Sequence, residues 1–259
     1  MTITVRTLVA FLACAAFGAQ PPSVLRPGAD RAFLEELATA CRILARQGVV
    51  DAYGHVTVRS PANPSHYFMS RNLPPALATA ADLVEYDLDS QPVSPNAPPG
   101  FTERYIHGEI YRARPDVMSV VHFHAPEVIP FGVTNVPLRP IFHMAGFLGE
   151  GVPVFDIRDA AGVTNMLISN PELGKALART LANKPAALMR GHGAVVAGPA
   201  LHIAVGQAYY MVANARIQAE AMRMSSNVKY LSDEEARKAG AQDGFERAWT
   251  LWKSESALK

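Results

Sequence analysis

The chain has 259 residues, 49% of them hydrophobic and 18% charged, which supplies a sizeable core and excludes a disordered protein. Its 24 basic and 23 acidic residues leave a formal net charge of +1, so nothing points to nucleic acid, an anionic membrane or a solvating acidic tail. Two cysteines, Cys14 and Cys41, are too few for a disulfide framework, and the length allows one large domain or two small ones.

At the N-terminus Arg6 precedes an unbroken apolar and small-residue run, 8–17. That run is shorter than the ~20 residues that cross a bilayer and has the length of a signal-peptide core. Ala16-Phe17-Gly18 supplies a cleavage signal, and Gln20-Pro21-Pro22 breaks any helix. Residues 1–19 therefore read as a signal peptide. Cleavage would make the protein periplasmic or secreted, with no membrane attachment left; otherwise it is cytoplasmic. Residues 20–29 read as a proline-rich linker.

The folded part is expected over 30–259. A helix starts at Asp30, with Phe33, Leu37, Cys41 and Leu44 at helical spacing and Gly48 as its stop. Residues 56–58 and 66–69 read as short strands around the turn residues Ser60 to Pro64. After a proline-rich loop over 90–100, Thr102 is expected to cap a helix that runs to Ala113. Strands follow at 118–124, 138–142 and 152–155. Asn170 and Pro171 start another helix, then strands at 186–189 and 194–196 flank Gly191-His192-Gly193. A long helix covers 199–224, Ser232 and Glu235 form a capping box, and a last helix carries Phe245, Trp249 and Trp252. Helices alternate with strands, so the class is α/β in one domain.

Histidine placement carries the chemistry. His122 and His124 stand two apart in a strand, which puts both imidazoles on one face. Such a pair either binds a divalent metal or is a pair of half-buried structural histidines. His192, between two glycines, needs a polar partner if buried and otherwise faces water. Glu103 lies in a first helical turn, where a carboxylate gains from the helix dipole; it either only caps that turn or ligates a metal and moves protons. His107 follows Glu103 by four residues and either borders the pocket or lies on the helix surface.

These residues carry a resemblance. The stretch 101–126 (FTERYIHGEIYRARPDVMSVVHFHAP) with 188–198 (LMRGHGAVVAG) resembles the class II aldolase/adducin head family. The resemblance implies a three-layer α/β/α sandwich around a central mixed, largely antiparallel sheet, followed here by a C-terminal helical extension. It implies a divalent metal on His122, His124 and His192, zinc favoured and manganese or another ion possible, with Glu103 as acid/base or resting ligand. It also implies a homotetramer with sites between subunits, which the C-terminal tryptophans would suit as interface residues unless they pack within one chain.

The best-known members act on sugar phosphates, and here the chain departs from them. It has Gly54-His55, Ser70-Arg71-Asn72 and Phe101-Thr102 where those enzymes place small phosphate-binding residues. Arg71 suits a planar carboxylate, with Ser70 a second donor beside it. The stretches 49–71 and 137–159 are similar to a subgroup of decarboxylases of aromatic-ring catabolism, of the 3,4-dihydroxyphthalate and 2-hydroxy-3-carboxy-dienoate type. His143 takes the place of a tyrosine that, in the aldolases, reaches a neighbouring subunit's site as a proton donor. The implied activity is a metal-dependent lyase that removes carbon dioxide from a small hydroxy-carboxylate and leaves an enolate, with Glu103, His55 or His143 returning the proton to carbon. Two alternatives stay open: an aldolase or epimerase of an unphosphorylated hydroxy-acid or sugar, and an adducin-like association domain without activity.

Overall fold

A computed structural model describes residues 31–240 and 244–257. The expected signal peptide, the linker and Cys14 lie outside the described residues. Among the described residues, no helix is long and apolar enough to cross a membrane.

Helix α1 (Arg31–Arg46) buries Leu34, Leu37, Cys41 and Leu44 along one face and stops before Gly48, whose φ of +71° ends the turn. Strands β1 (His55–Arg59), β2 (His66–Ser70) and β3 (Leu83–Asp87) form a meander. Helix α2 (Tyr105–Ala113) leads to β4 (Ser119–Phe123), and α3 (Ile129–Val133) follows it. Then come β5 (Val154–Phe155), α4 (Ile157–Ala161), α5 (Pro171–Leu181), β6 (Ala186–Met189) and β7 (Gly193–Gly198). Helices α6 (Leu201–Met224), α7 (Asp233–Gly240) and α8 (Glu246–Ala257) complete the order.

The seven strands make one sheet in the order β3-β2-β1-β4-β7-β6-β5. All neighbours are antiparallel except β5 and β6, so the sheet is mixed and largely antiparallel. Strand alternation sends Val56, Val58, Phe68, Val121 and Phe123 to a core shared with α1, α6 and α8. It sends Tyr67, Met69, Val120, Val195 and Met189 to the opposite core, closed by α2 and α5. Helices on both faces make the three-layer α/β/α arrangement.

Three expectations are corrected. Residues 138–142 form no strand. Pro137 and Pro140 interrupt any ladder, and the segment bonds to side chains of α6 instead. Asn214 accepts from the Ile141 N–H at 2.9 Å and donates to the Arg139 carbonyl at 2.8 Å. Gln218 accepts from the Arg139 N–H at 2.9 Å and donates to the Pro137 carbonyl at 2.8 Å. A 3₁₀ helix, His143–Glu150, follows directly. The helix expected from Thr102 is a 3₁₀ turn, Thr102–Arg104, joined to α2 across a kink at Glu103, and Thr102 does not cap it. Strand β3, in an alternating Leu-Val-Glu-Tyr-Asp run, adds an edge that the sequence reading did not include. The predicted caps at Asn170 and Ser232 both form: Asn170 accepts from the Leu173 N–H, and Ser232 exchanges bonds with Glu235. Trp249 and Trp252 are buried within the chain, Trp252 against Tyr209 at 4.9 Å between ring centroids.

Candidate metal centre

The sheet and two connections bring four donors to one point. Strand β4 carries His122, and His124 follows just past its end on the same side. The turn from β6 to β7 carries His192. That turn lies flat on β4, because a Cβ at Gly193 would sit 2.1 Å from the Phe123 carbonyl oxygen, so only glycine fits. The kink before α2, with Glu103 at φ −89° and ψ 17°, turns the fourth side chain inward.

Each of Glu103, His122, His124 and His192 places a ligand atom within 4.8 Å of the others. His124 Nε2 is 2.9 Å from His122 Nε2 and 3.0 Å from His192 Nε2. Glu103 Oε2 is 3.5 Å from His122 Nε2 and 3.4 Å from His192 Nε2. Imidazole nitrogens bound to one tetrahedral zinc stand about 3.3 Å apart, close to these separations.

Backbone carbonyls orient the rings. His122 Nδ1 lies 3.0 Å from the Ala194 oxygen, and His192 Nδ1 lies 2.9 Å from the Met166 oxygen. A carbonyl only accepts, so both Nδ1 atoms carry the proton, and each neutral ring presents an Nε2 lone pair to the centre. One N–H of His124 can satisfy only one of its two neighbours. Lone pairs and a carboxylate facing one another are a donor set that fits a divalent cation, and the backbone bonds hold the rings as a metal requires.

The electrostatics agree. Burial favours a protonated Glu103, but the His122 and His192 imidazoles beside it outweigh that and hold its carboxyl far below the usual range. Burial, with His122 and His192 beside it, depresses His124 to about 4. Burial opposes a charge on His192, but the Glu103 carboxylate outweighs it and raises the imidazole. The ionised Glu103 and the neutral His124 are in the forms that bind metal, while His192, raised by Glu103, must release a proton to ligate.

The other candidate residues separate. His55 is buried beside the cluster. It is paired with His122 across β1 and β4, its ring centroid 5.1 Å from that of His122 and 4.8 Å from that of Phe101. Arg71 is partly exposed, and its Nε donates to Asp82 Oδ1 at 2.7 Å. Ser70 is buried on the α1 side of the sheet, hydrogen-bonded to the thiol of Cys41, which burial pushes up to about 12. His143 is exposed at the start of the 3₁₀ helix and lines a cavity with Tyr210 and Trp252, so its own chain does not bring it to the four donors. His107, for which the sequence left two readings, is fully buried and bonds to both His55 and Thr57. Its spacing of four from Glu103 was the available signal.

Comparison with known proteins matches this frame. The Class II Aldolase and Adducin N-terminal domain family aligns with residues 35–219. A protein named decarboxylase tropJ from Talaromyces stipitatus is 41% identical over 239 residues, 83% of this chain and 90% of that protein. The 3,4-dihydroxyphthalate decarboxylase of Arthrobacter keyseri is 29% identical over 237 residues, 86% of this chain and 92% of that enzyme. Among solved structures, an aldolase II superfamily protein from Pseudomonas syringae superposes with a TM-score of 0.74 at 22% identity, covering 90% of this chain and 94% of that one. A match over most of the chain, with the fold to go with it, places the protein in the class II aldolase and adducin N-terminal domain family, as a class II aldolase-type lyase.

Proposed function

We propose that the protein is a divalent-metal-dependent carboxy-lyase acting on a small hydroxy-aromatic or hydroxy-dienoate carboxylate. The observation that carries this reading is the convergence of three Nε2 atoms and Glu103 Oε2 on one point, with two of the rings fixed by backbone carbonyls. The decarboxylase names of its relatives favour loss of carbon dioxide over aldol cleavage.

His122, His124 and His192 would hold the ion, zinc favoured, and a bound divalent ion supplies Lewis acidity toward adjacent oxygens of the substrate. Glu103 keeps its Oε1 on the Ile168 N–H at 2.9 Å, which leaves Oε2 to complete the donor set or to take the proton of a substrate hydroxyl. Arg71 has its Nε committed to Asp82, so its terminal nitrogens form the edge that can grip a carboxylate. The buried rings of Phe101 and His55 wall the site beside His122 and limit water around the reacting carbon. Loss of carbon dioxide leaves the bonding pair on the substrate, and one proton must then reach carbon. His55 is the nearest imidazole outside the ligand set that can deliver it. We assign the same role to His143 only across a subunit boundary in a homotetramer, a reading supported by its exposed position away from its own chain's donors.

The test is to purify the protein, measure divalent metal per chain, and follow carbon dioxide release from 3,4-dihydroxyphthalate. The expected result is about one ion per chain with carbon dioxide release, both lost in His122→Ala. Bound metal without carbon dioxide would discard this substrate and move weight to carbon–carbon cleavage or epimerisation of another hydroxy-acid. A protein that takes up neither zinc nor manganese would overturn the metal-dependent reading.

A further inference from the structure

A line of buried polar groups runs beneath β1 and ends at the cluster. His55 Nδ1 lies 2.7 Å from His107 Nε2. His107 Nδ1 lies 2.8 Å from Thr57 Oγ1, and Thr57 Oγ1 lies 2.8 Å from the Tyr111 hydroxyl. Every member is buried, so each proton along the line needs an acceptor within it. Arg59 fixes the far end: it donates to the Tyr111 carbonyl at 2.8 Å and stands over the Tyr111 ring at 4.7 Å.

The line has two possible polarities. In one, His55 donates to His107, His107 to Thr57 and Thr57 to Tyr111. The Tyr111 proton then needs an acceptor of its own. Among the described residues the Tyr111 hydroxyl has no hydrogen-bond partner besides Thr57 Oγ1 that could accept its proton. That polarity strands a buried O–H. In the other, Tyr111 donates to Thr57, Thr57 to His107 Nδ1, and His107 Nε2 to His55 Nδ1, and every proton has a partner.

We infer that Thr57 and His107 act as positioning residues that lock His55 in the tautomer with its proton on Nε2. The consequence is chemical. His55 sits among the metal-type histidines yet presents an N–H rather than a lone pair, so it stands outside the ligand set and serves as a hydrogen-bond donor to an oxyanion of bound substrate. This deepens the lyase reading and rests on it for the step that His55 assists; the tautomer itself does not.

The experiment uses the full-length, zinc-loaded protein with ¹⁵N-labelled histidine. Long-range proton–nitrogen spectra should show His55 protonated at Nε2 and bare at Nδ1. Tyr111→Phe keeps the ring and removes the terminal proton, and Thr57→Val removes the bridging hydroxyl at nearly constant shape. In Thr57→Val, His107 Nδ1 loses its donor and His55 should populate the Nδ1–H form; in Tyr111→Phe, Thr57 still donates to His107 and the Nε2–H form should persist. In Thr57→Val the kcat for carbon dioxide release from 3,4-dihydroxyphthalate should fall about tenfold, with KM and zinc content unchanged, whereas Tyr111→Phe should change it little. A proton on Nδ1 in the unaltered protein, or an Nε2 proton unaffected by Thr57→Val, would overturn the inference. An Nε2 proton in a protein that releases no carbon dioxide would count against the proposed substrate and leave the inference standing.

Discussion

Glu103 Oε1 accepts the backbone N–H of Ile168 at 2.9 Å, and this bond fixes where the other carboxylate oxygen points. Oε2 is thereby placed 3.4 and 3.5 Å from the Nε2 atoms of His192 and His122. The two oxygens have separate tasks, one structural and one chemical. Glu103→Ala should remove both. Turnover should fall at least about a hundredfold, as for the loss of a positioned acid/base. The Ile168 N–H, buried and unpaired, should cost about 1–3 kcal/mol of stability. Parallel turnover and urea-unfolding measurements check this. A variant of full stability would show that the Ile168 bond does not anchor the carboxylate.

The three imidazoles and Glu103 present more lone pairs to one another than there are protons to share, so a bound ion should stabilise the fold as well as the reaction. At a zinc concentration a hundred times its Kd, linkage predicts about 2.7 kcal/mol of added stability. Chelation should therefore lower the thermal midpoint, and zinc or manganese should restore it. His122→Ala should abolish that response, because the ring it removes is oriented by the Ala194 carbonyl and lies at the centre of the set. A midpoint indifferent to chelator would contradict the donor geometry.

Asp82 links the Arg71 arm to the fold. Its Oδ2 accepts from the Thr79 N–H at 3.0 Å and the Thr79 hydroxyl at 2.6 Å, while Oδ1 accepts from Arg71. Burial alone would raise the Asp82 carboxyl, but the Thr79 and Arg71 hydrogen bonds outweigh it and lower the pKa. A carboxyl with a lower pKa folded than unfolded contributes stability above its unfolded value, near 4, and loses it as the pH falls through the folded value. Asp82→Ala should cost about 1 kcal/mol at pH 7, and the difference from the unaltered protein should shrink as the pH falls below about 4. If Arg71 grips the substrate carboxylate, the same variant should raise KM severalfold with a smaller effect on kcat. Unfolding curves at two pH values and a substrate titration separate the two effects.

Much of the donor cluster was legible in the sequence for local reasons. His122 and His124 follow from strand alternation, and the glycines around His192 signal a close approach that the Phe123 carbonyl makes explicit. Glu103 is a candidate from its place in a first helical turn, but only the family resemblance chooses between capping and a chemical role, because a helix-start carboxylate has no distinctive pattern. The sequence alone leaves His107 two readings, because its burial depends on the kink at Glu103 and on a partner, His55, 52 residues away. Arg71 read as a free anion-binding arm because its tie to Asp82 depends on how the segment after β2 folds back. The misplaced strand at 138–142 has the same origin: its apolar residues alternate with prolines, and its hydrogen-bond partners are side chains 73 to 81 residues further on.

Those partners give the last prediction. Asn214 and Gln218 are one turn apart on α6 and fully buried. Each accepts one backbone N–H and donates to one backbone carbonyl, so the pair copies the edge of a neighbouring strand where Pro137 and Pro140 forbid a real one. The segment they hold leads directly into the 3₁₀ helix that begins at His143. Asn214→Ala should leave the Ile141 N–H and the Arg139 carbonyl without partners, at a cost of about 2–5 kcal/mol. Asn214→Asp keeps the acceptor for the Ile141 N–H but sets a buried carboxylate oxygen against the Arg139 carbonyl, so it should be at least as costly while ionised. Hydrogen exchange at the Ile141 amide should speed up in the alanine variant and remain slow in Asn214→Asp. If His143 acts in a neighbouring subunit, the alanine variant should lose turnover out of proportion to its metal content, because the donor cluster is built from other elements. Turnover that tracks metal content in both variants would place His143 outside the chemistry.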